Sequence, residues 1–264
     1  MQVKTETTGC GGEIGAYLVK FNNEVCGGRL LQYVRRIVRN ALIGSLMCGA
    51  SLSALAQEIS TETSQPVTTS TSNDGEAGDV TITEDGAIVF ESVQDVTAIA
   101  VDSSNNVTVD GGVQFTDSDN TTGILIESGH SGDVVIGGYV YLTETYTRED
   151  DDGDDDLDGP VAEGEGRTAL LLEEGGVHTG DITVDATGYI SVEGNNSAGL
   201  LLESQLDGDI LLDGGVAVVG AQSVGLAVDD VSGDILVSGG VSVVGENSQA
   251  VVVNGDVGGA LAIE

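Results

Sequence analysis

The densest run of carboxylates in this chain lies between Leu142 and Arg167. It holds Asp150, Asp151, Asp152, Asp154, Asp155, Asp156 and Asp158. Inside it, Asp154-x-Asp156-x-Asp158-Gly159 is followed, after five residues, by Glu165, the spacing D-x-[DN]-x-[DN]-G-x5-E of a calcium loop. Alternate side chains of a tight loop converge there on one hard cation. The glycine turns the chain, the Pro160 carbonyl supplies a backbone oxygen, and the distal glutamate closes the shell. Asp154, Asp156, Asp158, Pro160 and Glu165 are therefore the candidate calcium ligands. The same run also reads as a solvated acidic loop whose charges repel one another unless a cation screens them.

Other residues able to do chemistry are spread regularly. Asp102, Glu127, Glu173, Glu203 and Asp229 each close an apolar triplet. Stacked, they form an outward column of like charge, a solvated edge or a weak ladder for divalent cations. Asp79, Asp133, Asp181, Asp209 and Asp234 stand at turns, where aspartate bonds neighbouring backbone N–H groups. The two histidines, His130 and His178, fall at equivalent corners and are expected as exposed turn residues. No G-x-S-x-G, H-E-x-x-H or P-loop pattern occurs.

The elements that must carry these residues repeat. Ser197-Ala198-Gly199-Leu200-Leu201-Leu202-Glu203 returns as Ser223-Val224-Gly225-Leu226-Ala227-Val228-Asp229 and as Ser248-Gln249-Ala250-Val251-Val252-Val253-Asn254. Between copies, Gly208-Asp209-Ile210-Leu211-Leu212 is echoed by Gly233-Asp234-Ile235-Leu236-Val237. The small residue of the first phrase recurs at 98, 123, 169, 199, 225 and 250, so the period is about 25 residues, with one long step at the acidic run. Pairs such as Val80/Ile82, Val107/Val109 and Ile210/Leu212 alternate with period two, the mark of half-buried strands. Three short strands per unit, Gly/Asn/Asp turns and no helical pattern predict an all-β parallel β-helix (β-solenoid) of about six to seven rungs over 78–264. The acidic insertion, 143–166, leaves it at the corner between second and third strands. Ala100, Leu125, Leu171, Leu201, Ala227 and Val252 are expected on the outside of the third strand, as a candidate contact surface.

Ahead of the repeat, residues 29–56 read as a secretory signal helix. Arg29, Arg35, Arg36 and Arg39 precede a short uncharged apolar stretch, and Ala54-Leu55-Ala56 sets the cut before Gln57. Residues 1–28 are either an extension of that signal or lie upstream of the true start. Residues 57–77, rich in Ser and Thr, are expected as a flexible lead-in. Cys10, Cys26 and Cys48 all precede the cut, so the mature region holds no thiol and needs no disulfide. The net charge is −36, and only Arg148 and Arg167 are basic beyond Gln57. Such a surface excludes nucleic acid and disfavours enzymes of acidic polysaccharides. Divalent cations and cationic partners fit it.

A signal peptide, a Ser/Thr lead-in and rungs of Gly-Asp-[Ile/Val]-x-[Val/Leu] alternating with Ser-x-Gly-Leu-x-Leu-Glu resemble the passenger domains of Gram-negative autotransporters, over about residues 40–264. The resemblance implies a right-handed β-helix, passage through the periplasm and display at the cell surface through a C-terminal β-barrel. The chain reaches Glu264 within the first strand of a rung and is expected to be the N-terminal part of such a passenger, truncated or split before its translocator. Its link to a membrane would run only through that missing translocator. The implied role is non-catalytic: an adhesin-like or structural passenger contacting host or neighbouring-cell surface molecules, or itself. The alternative is a carbohydrate-active β-helix enzyme, a lyase or glycoside hydrolase.

Overall fold

The computed structural model of the chain describes residues 56–150, 152–155 and 157–264. The extension 1–28 and, Ala56 apart, the signal helix lie outside the described residues, as do Asp151 and Asp156.

The described chain coils into a parallel β-solenoid with no helix. One turn is Val107–Val109, Gly112–Thr116 and Thr122–Ile126. Each strand pairs in parallel with its counterparts in the turns before and after, giving sheets of 8, 7 and 7 strands. The coil therefore has about eight turns, more than the six to seven the repeat predicts. The difference is at the start. Residues 57–77 are not a lead-in but the first turn: Gln57–Ile59 pairs with Val80–Ile82, Glu62–Thr63 with Ala87–Glu91, and Val67–Thr68 with Thr97–Val101. Ile59 and Val67 reach the core, and the polar Thr69 and Ser72 are buried beside them.

The interior follows the alternation. Val80/Ile82, Val107/Val109, Val134/Ile136, Ile182/Val184, Ile210/Leu212 and Ile235/Val237 point inward from the first sheet and are fully buried. Adjacent turns sit about 4.8 Å apart, so like residues stack into continuous columns. The small residue of the repeated phrase has a steric reason. It faces the second sheet at the corner: a Cβ on Gly225 would lie 2.4 Å from Val241 Cγ1, and one on Gly199 2.6 Å from Val216 Cγ1.

The corner between second and third sheets is built from backbone requirements. Asp95, Asn120, Asn196, Gln222 and Asn247 have φ of 50–59°, and Gly166 has 69°. Asn, Asp and Gly tolerate this left-handed conformation best, which is why polar turn residues recur there. Each precedes a ladder position. Ser223 Oγ accepts the Ser197 N–H at 3.1 Å, and Ser248 Oγ accepts that of Ser223 at 3.0 Å. These hydroxyls in turn donate to the carbonyls of Gly194 and Gly220.

Candidate functional site

The turn aspartates bond from rung to rung, as expected. Asp79 Oδ1 accepts the Asn106 N–H, Asn106 that of Asp133, Asp133 that of Asp181, Asp181 that of Asp209, and Asp209 that of Asp234, at 2.7–2.9 Å. These carboxylates are occupied by the fold.

The insertion is held at its base by Arg167, one of the two basic residues beyond Gln57. Arg167 stands in the serine ladder, its N–H bonded to Ser197 Oγ, and its side chain is only 2 % exposed. Its Nε donates to the Ser118 carbonyl at 2.6 Å, and its Nη atoms reach Asp119 at 3.3 Å, Glu144 at 3.5 Å and the Glu193 carbonyl. Glu144 begins the insertion and its other end folds back onto the same carboxylate. Glu144 accepts the N–H groups of Glu163 and Gly164 at 2.9 and 2.6 Å. Gly164 leaves room for the guanidinium, since a Cβ there would lie 2.2 Å from Arg167 Nη2. The one sequence clue is a lone arginine, in a nearly cation-free region, at a position where the three following turns carry Ser197, Ser223 and Ser248.

Beyond this base the insertion folds back on itself. Tyr146 Oη donates to the Pro160 carbonyl at 3.2 Å, Arg148 to that of Leu157 at 3.3 Å, and the Asp158 N–H to that of Glu149 at 2.8 Å. At the tip, the Asp150 carboxylate accepts the N–H groups of Gly153, Asp154 and Asp155. Carboxylate oxygens of Asp150, Asp152 and Asp158 lie within 4.8 Å of one another. Of the candidate calcium ligands among the described residues, only Asp158 joins this group. Pro160 turns its carbonyl to Tyr146, and Glu165 is drawn into the wall, where its N–H bonds Asp119 and its backbone pairs with Asn195. Asp156 lies outside the described residues. The motif supposes a loop that bends around an ion; among the described residues the stem bonds bring Asp150, Asp152 and Asp158 together.

The acidic column on the third sheet is in register: the N–H groups of Glu127, Glu173, Glu203 and Asp229 bond successive turns. Asp102 belongs to it but serves the first turn. Burial alone would raise its pKa. The hydrogen bonds from Ser70 Oγ at 2.6 Å, Ser70 N–H at 2.7 Å and Thr69 Oγ1 at 3.2 Å outweigh that and hold the carboxyl below its usual range.

The histidines do not behave alike. His178 is fully buried, not an exposed turn residue, because its ladder neighbours in the following turns are the apolar Leu206 and Val231. Its Nε2 lies 2.9 Å from the Gly132 carbonyl, which can only accept, so Nε2 carries the proton. Nδ1 has no partner. Burial, reinforced by nearby His130, pushes the His178 pKa below 6.5, against the opposing pull of Gly132 and Asp133. Unfolded chains then bind more protons than folded ones below about pH 6.5, so stability falls as pH drops through that window. His178→Leu is expected to flatten this part of a melting-temperature-against-pH curve. An unchanged curve would show that His178 accepts its proton without cost.

The outer face of the second sheet carries Tyr139, Tyr141 and Tyr189, with ring centroids 4.7 and 6.2 Å apart. Tyr139 lies over Gly112 and Tyr189 packs beside Gly215, so each ring occupies space that a side chain on that glycine would fill. Few as they are, they gather in adjacent turns.

Fold and faces together define a parallel β-solenoid with one laterally anchored acidic insertion. No family model, curated protein or solved structure matches the chain.

Proposed function

We propose that this chain is a non-catalytic β-solenoid passenger of the autotransporter kind, exported and presented at or beyond the cell surface, whose repeated faces contact surface molecules or other copies. The observation that carries this reading is the distribution of the carboxylates. They run one per turn along ladders, many of them bonding the next turn, and among the described residues three or more converge only in Asp150, Asp152 and Asp158 on the exposed insertion. A glycosidase or lyase needs its carboxylates together in a groove over the substrate. The tyrosine trio is the feature that favours the carbohydrate-active alternative, because flat rings can stack on sugars. Export is supported by the basic and apolar stretch that ends in Ala54-Leu55-Ala56 ahead of Gln57, the residue that opens the first strand among the described residues.

The test is to produce the whole chain in a Gram-negative host, fractionate the cells and read the N-terminus by mass spectrometry. A periplasmic or released protein beginning at Gln57 is the expected result. An uncleaved chain confined to the cytosol would overturn the reading. The insertion is taken to stiffen around calcium through Asp150, Asp152 and Asp158. Calorimetric titration with calcium chloride should give heat that Asp150→Asn/Asp158→Asn abolishes, and equal heats in both proteins would remove calcium from the account.

A further inference from the structure

The outer face of the third sheet carries two ladders side by side. One is apolar: Ala100, Leu125, Leu171, Leu201, Ala227 and Val252 pair in register through successive turns. Of these, Ala227 is buried and the other five are half-buried. The other ladder lies two residues further along the chain, just past the end of each strand, and is acidic: Glu127, Glu173, Glu203 and Asp229. The carboxylates of Glu127, Glu173 and Glu203 make no hydrogen bond or ion pair with any described residue, in contrast to the turn aspartates and Glu144. The only basic residues beyond Gln57 are Arg148 and Arg167, both engaged at the insertion, so the described chain supplies this face with no counter-charge.

The spacing selects a partner. Along the solenoid axis both ladders repeat every 4.8 Å or so. A helix laid on that axis presents one apolar stripe and an adjacent stripe with a pitch of about 5.4 Å. Over four turns of the solenoid the mismatch is roughly 2 Å, within the reach of lysine and arginine stems. An extended strand on the same axis repeats each face every ~6.7 Å and would be out of step by roughly 6 Å over the same distance. We propose that this face docks a cationic amphipathic α-helix lying along the solenoid axis, its leucine-type stripe on Leu125, Leu171 and Leu201 and its Lys/Arg stripe on Glu127, Glu173 and Glu203. The inference rests on the contact role proposed above but not on export, so the two stand or fall in separate experiments.

The test uses the purified chain and a fluorescent Leu/Lys peptide of about 18 residues patterned as an amphipathic helix, roughly 27 Å long. Anisotropy titration should show binding that weakens with added salt. Leu171→Ser/Leu201→Ser and, separately, Glu127→Gln/Glu173→Gln/Glu203→Gln should each weaken it by about tenfold or more, while Glu84→Gln/Asp85→Asn, on an exposed turn before the second sheet, changes it by less than about twofold. The same peptide in scrambled order should bind at least about tenfold more weakly. Equal binding of the scrambled peptide, or face variants that bind like the parent, would overturn the proposal and leave only the general attraction of an acidic chain for cations. Circular dichroism checks each variant. If the serine variant does not fold, the near-isosteric glutamine variant decides.

Discussion

Arg167→Met is expected to destabilise the turns around the insertion by about 3–5 kcal/mol, the cost of leaving a buried charge without its partner. The methionine keeps most of the apolar stem, so the loss isolates the guanidinium. Three things change at once. Glu144, whose side chain is only 6 % exposed, keeps its charge and loses its cation. The carbonyls of Ser118 and Glu193 lose a charged donor. The two ends of the insertion, joined through Glu144 to Glu163 and Gly164, lose what holds that carboxylate in place. Because stacked repeats contact only their neighbours, the effect should be local. Hydrogen exchange is the readout: amides of 163–167 and 193–197 should speed up, while those of the first sheet near Val107–Val109 should not. Adding Glu144→Gln should restore part of the loss by removing the stranded charge. Unchanged exchange at 163–167 would show that the arginine does not anchor the insertion.

Phe115→Ala should cost about 3–5 kcal/mol, the range for deleting a buried aromatic ring. Phe115 is fully enclosed and stands in a column between Phe90 and Leu142. Its ring stacks on that of Phe90 at 5.0 Å, which adds about 0.5–1.5 kcal/mol beyond burial. The other inward side chains of this turn, Val107, Val109, Val113, Ile124 and Ile126, are each fixed on a ladder of their own, so the void is not filled by sliding a neighbour across. Phe115→Leu, which copies the residue one turn on, should cost less than about 1.5 kcal/mol because most of the volume is kept. Denaturant unfolding of the pair checks this. A loss below about 1 kcal/mol for the alanine variant would mean that the column collapses and that turn spacing is softer than the ladders imply.

The two residues differ in how openly the sequence displays them. Phe115 could be placed without a structure. Val113-Gln114-Phe115 alternates with period two and has counterparts one period away on either side, so the side of the sheet was settled by local chemistry. The same holds for the first-sheet pairs, the outward Leu125, Leu171 and Leu201, and the turn aspartates. In each case strand geometry sends alternate residues to opposite faces, and the period brings like positions together. The N-terminal turn escaped because its strands are two or three residues long and only Ile59 and Val67 mark its interior. So short a pattern is indistinguishable from a Ser/Thr linker until the next turn is there to pair with it.

Of the candidate site, sequence alone determined where the rhythm breaks, that the break is acidic, and that it leaves the coil between second and third sheets. Tertiary structure decided the rest. Spacing along a chain reports which carboxylates can reach one ion only if the loop bends around that ion. In this chain the base of the insertion is held by Arg167 and Glu144 and its stem by its own bonds, and among the described residues Asp150 and Asp152 join Asp158, while the backbone of Glu165 pairs with the wall. Arg167 and His178 are likewise single letters with no pattern of their own. They became an anchor and a buried neutral imidazole because of the residues in turns that stack on them, many positions away along the chain.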